Sequence, residues 1–454
     1  MIEMTLASAA AATDAVLHGQ DRAFTGVSTD TRTLAAGELF VALAGERFDA
    51  HEHLAEAAAR GAVGAIVARR MPVALAQLEV ADTRHALGLL AAAWRARFDI
   101  PVVAVTGSNG KTTTKELLAT ILRRCGATLV TEGNLNNDIG VPLTLFRLGP
   151  AHRHAVIEMG ANHAGEIARL CALARPDVAL VTMAAPAHLE GFGSLAGVAR
   201  AKGEIFEGLH GRGWAVINAD DPHAALWRGL ADGARSVEFG FSAAAAVRAE
   251  DLVPGPLGEG CAFMLVTPAD RVAVTLPLDG RHNVMNALAA AACAVALGVA
   301  ADEIKAGIES ATRVKGRLQR RIGVNGLVII DDSYNANPAS LDAALAVLAA
   351  RPGRRWLLLG DMGELGSAAA ALHRAAGRAA QRHGVDRLLT LGDLAALAGE
   401  TFGAGAAHCA DCEAAVAAIR DAAGPDLTLL VKGSRFMRLE RAVAALAGAE
   451  PRPC

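Results

Sequence analysis

The chain has 454 residues, 52% hydrophobic and 20% charged, with 44 basic side chains against 47 acidic ones for a formal net charge of −3. At roughly 100–200 residues per domain, this length accommodates about three domains with separate cores. The near-neutral balance excludes both a nucleic-acid binder that works by neutralising phosphates and a charged, disordered tail.

The N-terminus, MIEMTLASAAAATDAVL, has no basic stretch ahead of its apolar run and carries Glu3, which argues against a signal peptide. Residues 1–82 read as a small α/β unit, with strands over 38–43 and 62–68 and a short helix over 53–60. A second region, 83–312, alternates VVAVT, a helix over 112–124, AVIEM, a helix over 166–175, VALVT, a helix over 195–209 and AVIN. Alternation at this spacing predicts a parallel sheet covered by helices. Residues 246–278 break the rhythm with Pro, Gly and short alternating runs, which predicts antiparallel strands. In the third region, 313–454, the alternation restarts as a second βαβ domain: LVIID, a helix over 338–350, WLLLG, 368–383, RLLTL, 413–423, LTLLV and 439–446. The expectation is an α/β protein of three domains.

Only residues 283–301 are uncharged over a bilayer-spanning length, and two Asn, a Gly and many Ala make a buried, tightly packed helix the better reading. The seven Cys, an odd number set mostly in apolar runs, fit a reducing compartment and a cytoplasmic protein. Cys409-Ala-Asp-Cys412 beside His408 has no second ligand pair for a four-coordinate zinc and reads as a strand-to-helix junction. Lysine is scarce. Six lysines (111, 115, 202, 305, 315 and 432) stand against 38 arginines, so a retained Lys marks a place needing a compact, deprotonatable amine, Lys305 excepted. The single tyrosine, Tyr334, falls inside a motif described below.

Residues 102–118, VVAVTGSNGKTTTKELL, place Gly107-Ser108-Asn109-Gly110-Lys111-Thr112 between a strand and a helix. The glycines let backbone N–H groups turn toward an anion, and the helix start adds partial positive charge. Lys111 can reach the β- and γ-phosphates, and the Thr112 hydroxyl can ligate Mg²⁺. The pattern is one glycine short of the usual phosphate loop, since Val105 holds that place. A magnesium triphosphate also needs a carboxylate, and Glu158, ending the apolar run AVIE before Gly160, would emerge where ligands collect on such sheets.

GSNGKTT, VIEMGANHAGEIA (156–168), AHLEGFGS (187–194), AKGEIF (201–206), GRHNVMNALAAA (280–291) and KGSR (432–435) together resemble the Mur ligase family. GNLNNDIGVPLTL (133–145), DDSYNANPAS (331–340) and LGDMGELG (359–366) resemble the branch that joins D-alanyl-D-alanine to UDP-N-acetylmuramoyl-tripeptide. The matches run in order over nearly the whole chain. The resemblance implies a UDP-substrate domain (1–82), a central ATP-binding domain (83–312) and a Rossmann-like C-terminal domain (313–454). It implies an ATP-dependent ligase of peptidoglycan precursor synthesis: ATP phosphorylates the substrate carboxylate, and the dipeptide amine attacks the acyl phosphate. It implies small-molecule substrates, no nucleic acid or membrane insertion, and a monomer.

Residue by residue, the resemblance gives Lys111, Glu158, His188 and Lys202 as catalytic, and Thr112, Glu158, His188 and Lys202 as the magnesium set. Lys202 matches a position carbamylated in many relatives, which requires a neutral amine. Gly107 to Thr113, Asn283, Asn286, Arg317, Asp332, Tyr334, Asn335 and Asn337 would face the nucleotide. Ser28, Asp30, Arg32 and His51 resemble uridine diphosphate contacts. Asn134 and Asn137 lie in the GNLNND stretch and are assigned to substrate, while Lys432 and Arg435 are candidates for the dipeptide carboxylate. Two positions depart from the pattern: Met183, where Asn is commoner, and Phe436, where small residues are common. Competing readings are another amide ligase of the superfamily (tripeptide-forming or folylpolyglutamate type), a P-loop ATPase or kinase, and a non-catalytic UDP-sugar binder. DDSYNANP and GNLNND argue against the first, and GKT, Glu158 and Lys202 together argue against the last.

Overall fold

A computed structural model of the chain describes residues 2–45, 48–256 and 259–447. Three main sheets follow one another along the sequence. The first has five strands in the order Val16–His18, Ala76–Glu79, Gly64–Val67, Leu39–Val41 and Val27–Ser28, parallel except for the first pair. The second has nine: Thr128–Val130, His154–Glu158, Val102–Thr106, Val178–Val181, Trp214–Asn218, Arg235–Gly240, Val247–Pro254, Cys261–Val266 and Arg271–Leu276. It is parallel as far as Val247–Pro254 and antiparallel beyond, which places the break in rhythm over 246–278 on an antiparallel edge; residues 257–258 of that stretch lie outside the description. The third has six strands: Gln319–Ile322 lies antiparallel on one edge, and the other five are parallel, with Leu427–Lys432 and Arg354–Gly360 at the centre and Ala406–Cys409 at the far edge.

The central strands are apolar along their whole length because helices cover both faces. Every residue of Val102–Thr106 and Val178–Val181 is buried. Helix Lys111–Cys125 carries Leu117, Leu118, Ile121 and Leu122 at helical spacing on its buried side, and Gly126 (φ 154°) ends it. Behind it, Arg281–Ala296 is buried nearly throughout. Alanine makes that close packing possible, and no described helix is long and apolar enough to cross a membrane. Cys409 ends a strand and Cys412 opens a helix, so the C-A-D-C run is the junction its sequence suggested.

The domains meet through built contacts. The first and second share one apolar cluster, from Ile2, Leu39 and Ile66 to Val102, Leu145 and Ile157. Between the second and third, buried Asp279 accepts from the Gly260 N–H (2.8 Å), Arg313 (3.0 Å) and Arg351 (2.8 Å), while Arg320 pairs with Glu259.

Candidate active site

The phosphate loop follows the strand Val102–Thr106, and its backbone is tied down before any ligand arrives. Ser108 N–H donates to the Met183 carbonyl (2.9 Å), the Ser108 hydroxyl donates to the Ala185 carbonyl (3.0 Å), and Ala185 N–H donates back to Ser108 Oγ (2.9 Å). Thr182 Oγ1 donates to the Asn109 carbonyl (2.6 Å). Met183 therefore serves the loop through its carbonyl, which any residue supplies. Gly107 (φ 142°) has no room for a side chain, since a Cβ there would lie 1.9 Å from Thr182 Oγ1. At Gly110 (φ 81°) a Cβ would meet Asn286 Oδ1 at 2.3 Å. Lys111, Thr112 and Thr113 form the first turn of the helix, whose free N–H groups and dipole favour an anion. The Lys111 ammonium folds back onto the Gly107 carbonyl (2.6 Å), and burial pushes its pKa down against the pull of Glu158.

Glu158 ends the neighbouring strand and is 2% exposed. Its Oε1 accepts from Asn136 Nδ2 (2.8 Å), while Lys115 Nζ lies 3.8 Å from Oε2. That Oε2 is buried and accepts no hydrogen bond. A hard oxygen that accepts no hydrogen bond, beside a phosphate loop, fits a magnesium triphosphate, because Mg²⁺ takes one or two carboxylates and completes its shell with phosphate and water. Among the described residues no three of His, Cys, Asp and Glu converge on one point.

Lys202 is 1% exposed on the helix Leu195–Glu207, donates to the Ala161 carbonyl (3.0 Å) and stacks over Phe192 at 5.1 Å. Burial, and next the charge of Lys111, bring its pKa down to about 7 against Glu166 and Glu204. The amine is thus easily neutralised at physiological pH. His188 has left-handed backbone (φ 53°) and sets Nδ1 2.5 Å from Glu364 Oε2 of the third domain.

The third domain closes the cleft, which is lined by residues 108–112, His188, Arg317, Asn335, Asn337, Ser340 and Glu364. Asn337 caps the helix Pro338–Ala349 in a capping box with Ser340, and its amide exchanges two hydrogen bonds with Asn109 (2.8 and 3.2 Å). Arg317 stacks on Tyr334 at 4.2 Å, and Arg435 approaches the same ring at 5.7 Å.

Several of the candidate residues have partners within the fold. Lys432 is buried, ion-paired to Asp332 and bonded to the Asn335 carbonyl (3.0 Å), so neither Lys432 nor Asp332 presents a free charge to a ligand; Asp332 also accepts from the Leu318 N–H. The pair pins the Asp332–Asn337 loop. His51 is consumed by the fold: Ala68 N–H donates to Nε2 (2.9 Å) and Nδ1 faces Asp49 at 2.6 Å. Asn134 and Asn137 are exposed, Asn137 capping the turn into Gly140–Leu145, and it is Asn136 that reaches Glu158. Asn283 and Asn286 are buried, joined to each other (3.0 Å), to the Asp279 carbonyl and to Thr114, which places them behind the loop as its support. Ser28, Asp30 and Arg32 stay together on the first domain, Arg32 exposed and paired with Asp30 at 2.6 Å. Phe436 is 62% exposed.

Sequence reasoning missed Lys115, Asn136, Thr182 and Glu364. The scarcity of lysine pointed to Lys115, which is 1% exposed and donates to the Thr131 carbonyl (2.6 Å). Nothing local singles out Asn136 among three neighbouring asparagines.

This arrangement is that of an ATP-dependent ligase built from a P-loop domain and a closing Rossmann-like domain. Residues 105–294 match the Mur ligase middle domain and 316–435 the Mur ligase glutamate ligase domain. The chain is 48% identical to the UDP-N-acetylmuramoyl-tripeptide–D-alanyl-D-alanine ligase of Escherichia coli (strain K12), over 98% of this chain and 99% of that one. It is 41% identical to the Haemophilus influenzae enzyme of the same name, over 92% and 93%. The crystal structure of MurF from Acinetobacter baumannii superposes with a TM-score of 0.93 at 38% identity, covering 98% of both chains. That of MurF ligase from Thermotoga maritima in complex with ADP gives 0.82 at 27% identity, covering 92% of this chain and 96% of that one. The chain belongs to the Mur ligase family.

Proposed function

We propose that the chain joins D-alanyl-D-alanine to UDP-N-acetylmuramoyl-tripeptide with conversion of ATP to ADP and phosphate, a step in making a peptidoglycan precursor. The observation that carries the reading is the meeting of three groups about Lys111: a pre-tied phosphate loop, a buried carboxylate oxygen that accepts no hydrogen bond, and a lysine whose pKa is brought down to about 7. Near-full-length likeness to enzymes of that name supports the choice of substrates.

A carboxylate oxygen of the tripeptide attacks the γ-phosphorus and ADP leaves. The dipeptide amine then attacks the acyl carbon, loses a proton, and phosphate departs with the former carboxylate oxygen. Both steps bring anions together, so the protein's part is to concentrate positive charge and fix geometry. Lys111 and the N–H groups of residues 111–113 hold the γ-phosphate, with Arg317 supplying charge from the third domain. Mg²⁺, which would draw charge from the phosphate oxygens, would be held by Thr112, Glu158 and His188, with Lys202 contributing as a carbamate. Burial of the Lys202 amine supports that modification. Lys202→Ala should lose activity and regain part of it with a short carboxylic acid; no rescue, with no carbamate detected by mass spectrometry in the intact chain, would sink it. Ser28, Asp30 and Arg32 serve the uridine diphosphate end, and Arg435 beside Tyr334 remains the candidate for the dipeptide carboxylate.

The test is phosphate release with ATP, Mg²⁺ and UDP-N-acetylmuramoyl-tripeptide, with and without D-alanyl-D-alanine, alongside mass spectrometry for the pentapeptide. Release that needs both substrates supports the ligase; turnover indifferent to the dipeptide returns the chain to the P-loop ATPase class.

A further inference from the structure

Glu364 lies in the loop that follows the strand Arg354–Gly360, on the opposite side of the cleft from the phosphate loop. Its Oε2 stands 2.5 Å from Nδ1 of His188, across the boundary between the second and third domains. Both residues adopt left-handed backbone without being glycine, at φ 60° for Glu364 and 53° for His188. Such conformations persist where the surroundings enforce them, and here they bring two side chains together.

The Glu364 side of the contact is firmly held. Met362 N–H donates to Nε2 of buried His373 (2.9 Å), Gly363 N–H donates to Ser434 Oγ (2.8 Å), and Asp361 Oδ1 accepts from Ala395 N–H (2.7 Å). The His188 side rests against Phe192, whose ring meets the imidazole edge-on with centroids 6.5 Å apart. The Glu190 N–H also approaches the Glu364 carbonyl at 3.4 Å, so backbone and side chain cross the boundary together.

We infer that Glu364 is a positioning residue for His188: the third domain, on closing, sets the ring orientation and the tautomer of an imidazole that belongs to the second. Nδ1 makes no hydrogen bond in line with its N–H, so the carboxylate acts through its charge: a negative oxygen 2.5 Å from Nδ1 favours the tautomer with the proton on that nitrogen and leaves the Nε2 lone pair free, the form needed by a ring that ligates a cation or accepts a proton. His188 is then competent only when the third domain is in place, which couples arrival of the dipeptide-bearing domain to assembly of the phosphate site. The inference rests on the ligase reading for its kinetic consequence and on geometry alone for the pairing.

The experiment uses the full chain with histidine labelled in ¹⁵N, and two-bond ¹H–¹⁵N spectra, which separate the imidazole tautomers. The His188 signals are assigned by their disappearance in His188→Gln. The wild type is expected to hold the Nδ1–H tautomer, and both Glu364→Gln, which keeps the shape but not the charge, and Glu364→Ala to release it toward the commoner Nε2–H form. In ligation assays Glu364→Ala should lower kcat about 10–100-fold, with the KM for the UDP-linked substrate within about twofold and Glu364→Gln falling with it. An unchanged His188 tautomer in Glu364→Ala, or a kcat within about twofold of wild type, overturns the inference. A wild type that forms no dipeptide-dependent product overturns the ligase reading, while the spectra still judge the pairing.

Discussion

Gly107 and Glu158 show how far single side chains set the site. A methyl group at Gly107 would sit 1.9 Å from Thr182 Oγ1 on a backbone with φ 142°. Gly107→Ala should therefore abolish nucleotide binding in calorimetric titration while circular dichroism stays native; wild-type affinity would contradict the loop geometry. Glu158→Gln keeps a partner for Asn136 but removes the charge, and should cut kcat about a hundredfold or more, since a lost cation ligand is worth several kcal/mol in the transition state. A near-normal rate would remove Glu158 from the metal set. At this scale the sequence was most informative where chemistry restricts residue type. Three of the six lysines, Lys115, Lys202 and Lys432, are 1% exposed in an arginine-rich chain. It was least informative for Asn136, because which of several adjacent polar residues points inward depends on a loop path that no periodicity encodes.

Among elements, the apolar strands and the helices between them were legible because both sheet faces are covered and each strand reads as a continuous apolar run. Several elements were not, and two show why. The strand Gln319–Ile322 reads QRRI, an edge strand whose solvent-facing residues erase the apolar signal, and the helix Asp393–Phe402 hides in an Ala- and Gly-rich run. The first turn of Arg281–Ala296 carries a further consequence. Burial lowers the pKa of His282 to about 4, with Asp332 and Asp279 pulling up and Lys432 pushing down. The folded chain keeps this ring neutral where the unfolded chain protonates it near 6.5. The unfolded state then binds more protons between those values, so the contribution of His282 is complete above 6.5 and is lost as pH falls toward 4. His282→Gln should flatten that part of the stability profile in urea unfolding; an unchanged pH dependence would contradict the burial.

For the molecule as a whole, the order of three α/β units was readable, but the contacts that assemble the cleft were not. Asn109 and Asn337 are 228 residues apart, Asp279 and Arg351 are 72 apart, and nothing local in either sequence names its partner. Asp279 is buried and keeps Arg313 and the Gly260 N–H when Arg351 is removed. Arg351→Met should accordingly destabilise the chain by about 2–3 kcal/mol, toward the low end for a broken buried pair, measured as a shift in the denaturant midpoint. No shift would mean that Asp279 does not depend on Arg351. On the proposed function, this cleft forms an amide through a phosphorylated carboxylate. The direct measurement supplies UDP-N-acetylmuramoyl-tripeptide labelled with ¹⁸O in its reacting carboxylate, together with ATP, Mg²⁺ and D-alanyl-D-alanine, and follows the label by mass spectrometry. One labelled oxygen per turnover should appear in inorganic phosphate, with the other retained in the amide. Phosphate released free of label would contradict the acyl-phosphate route and the ligase account built on it.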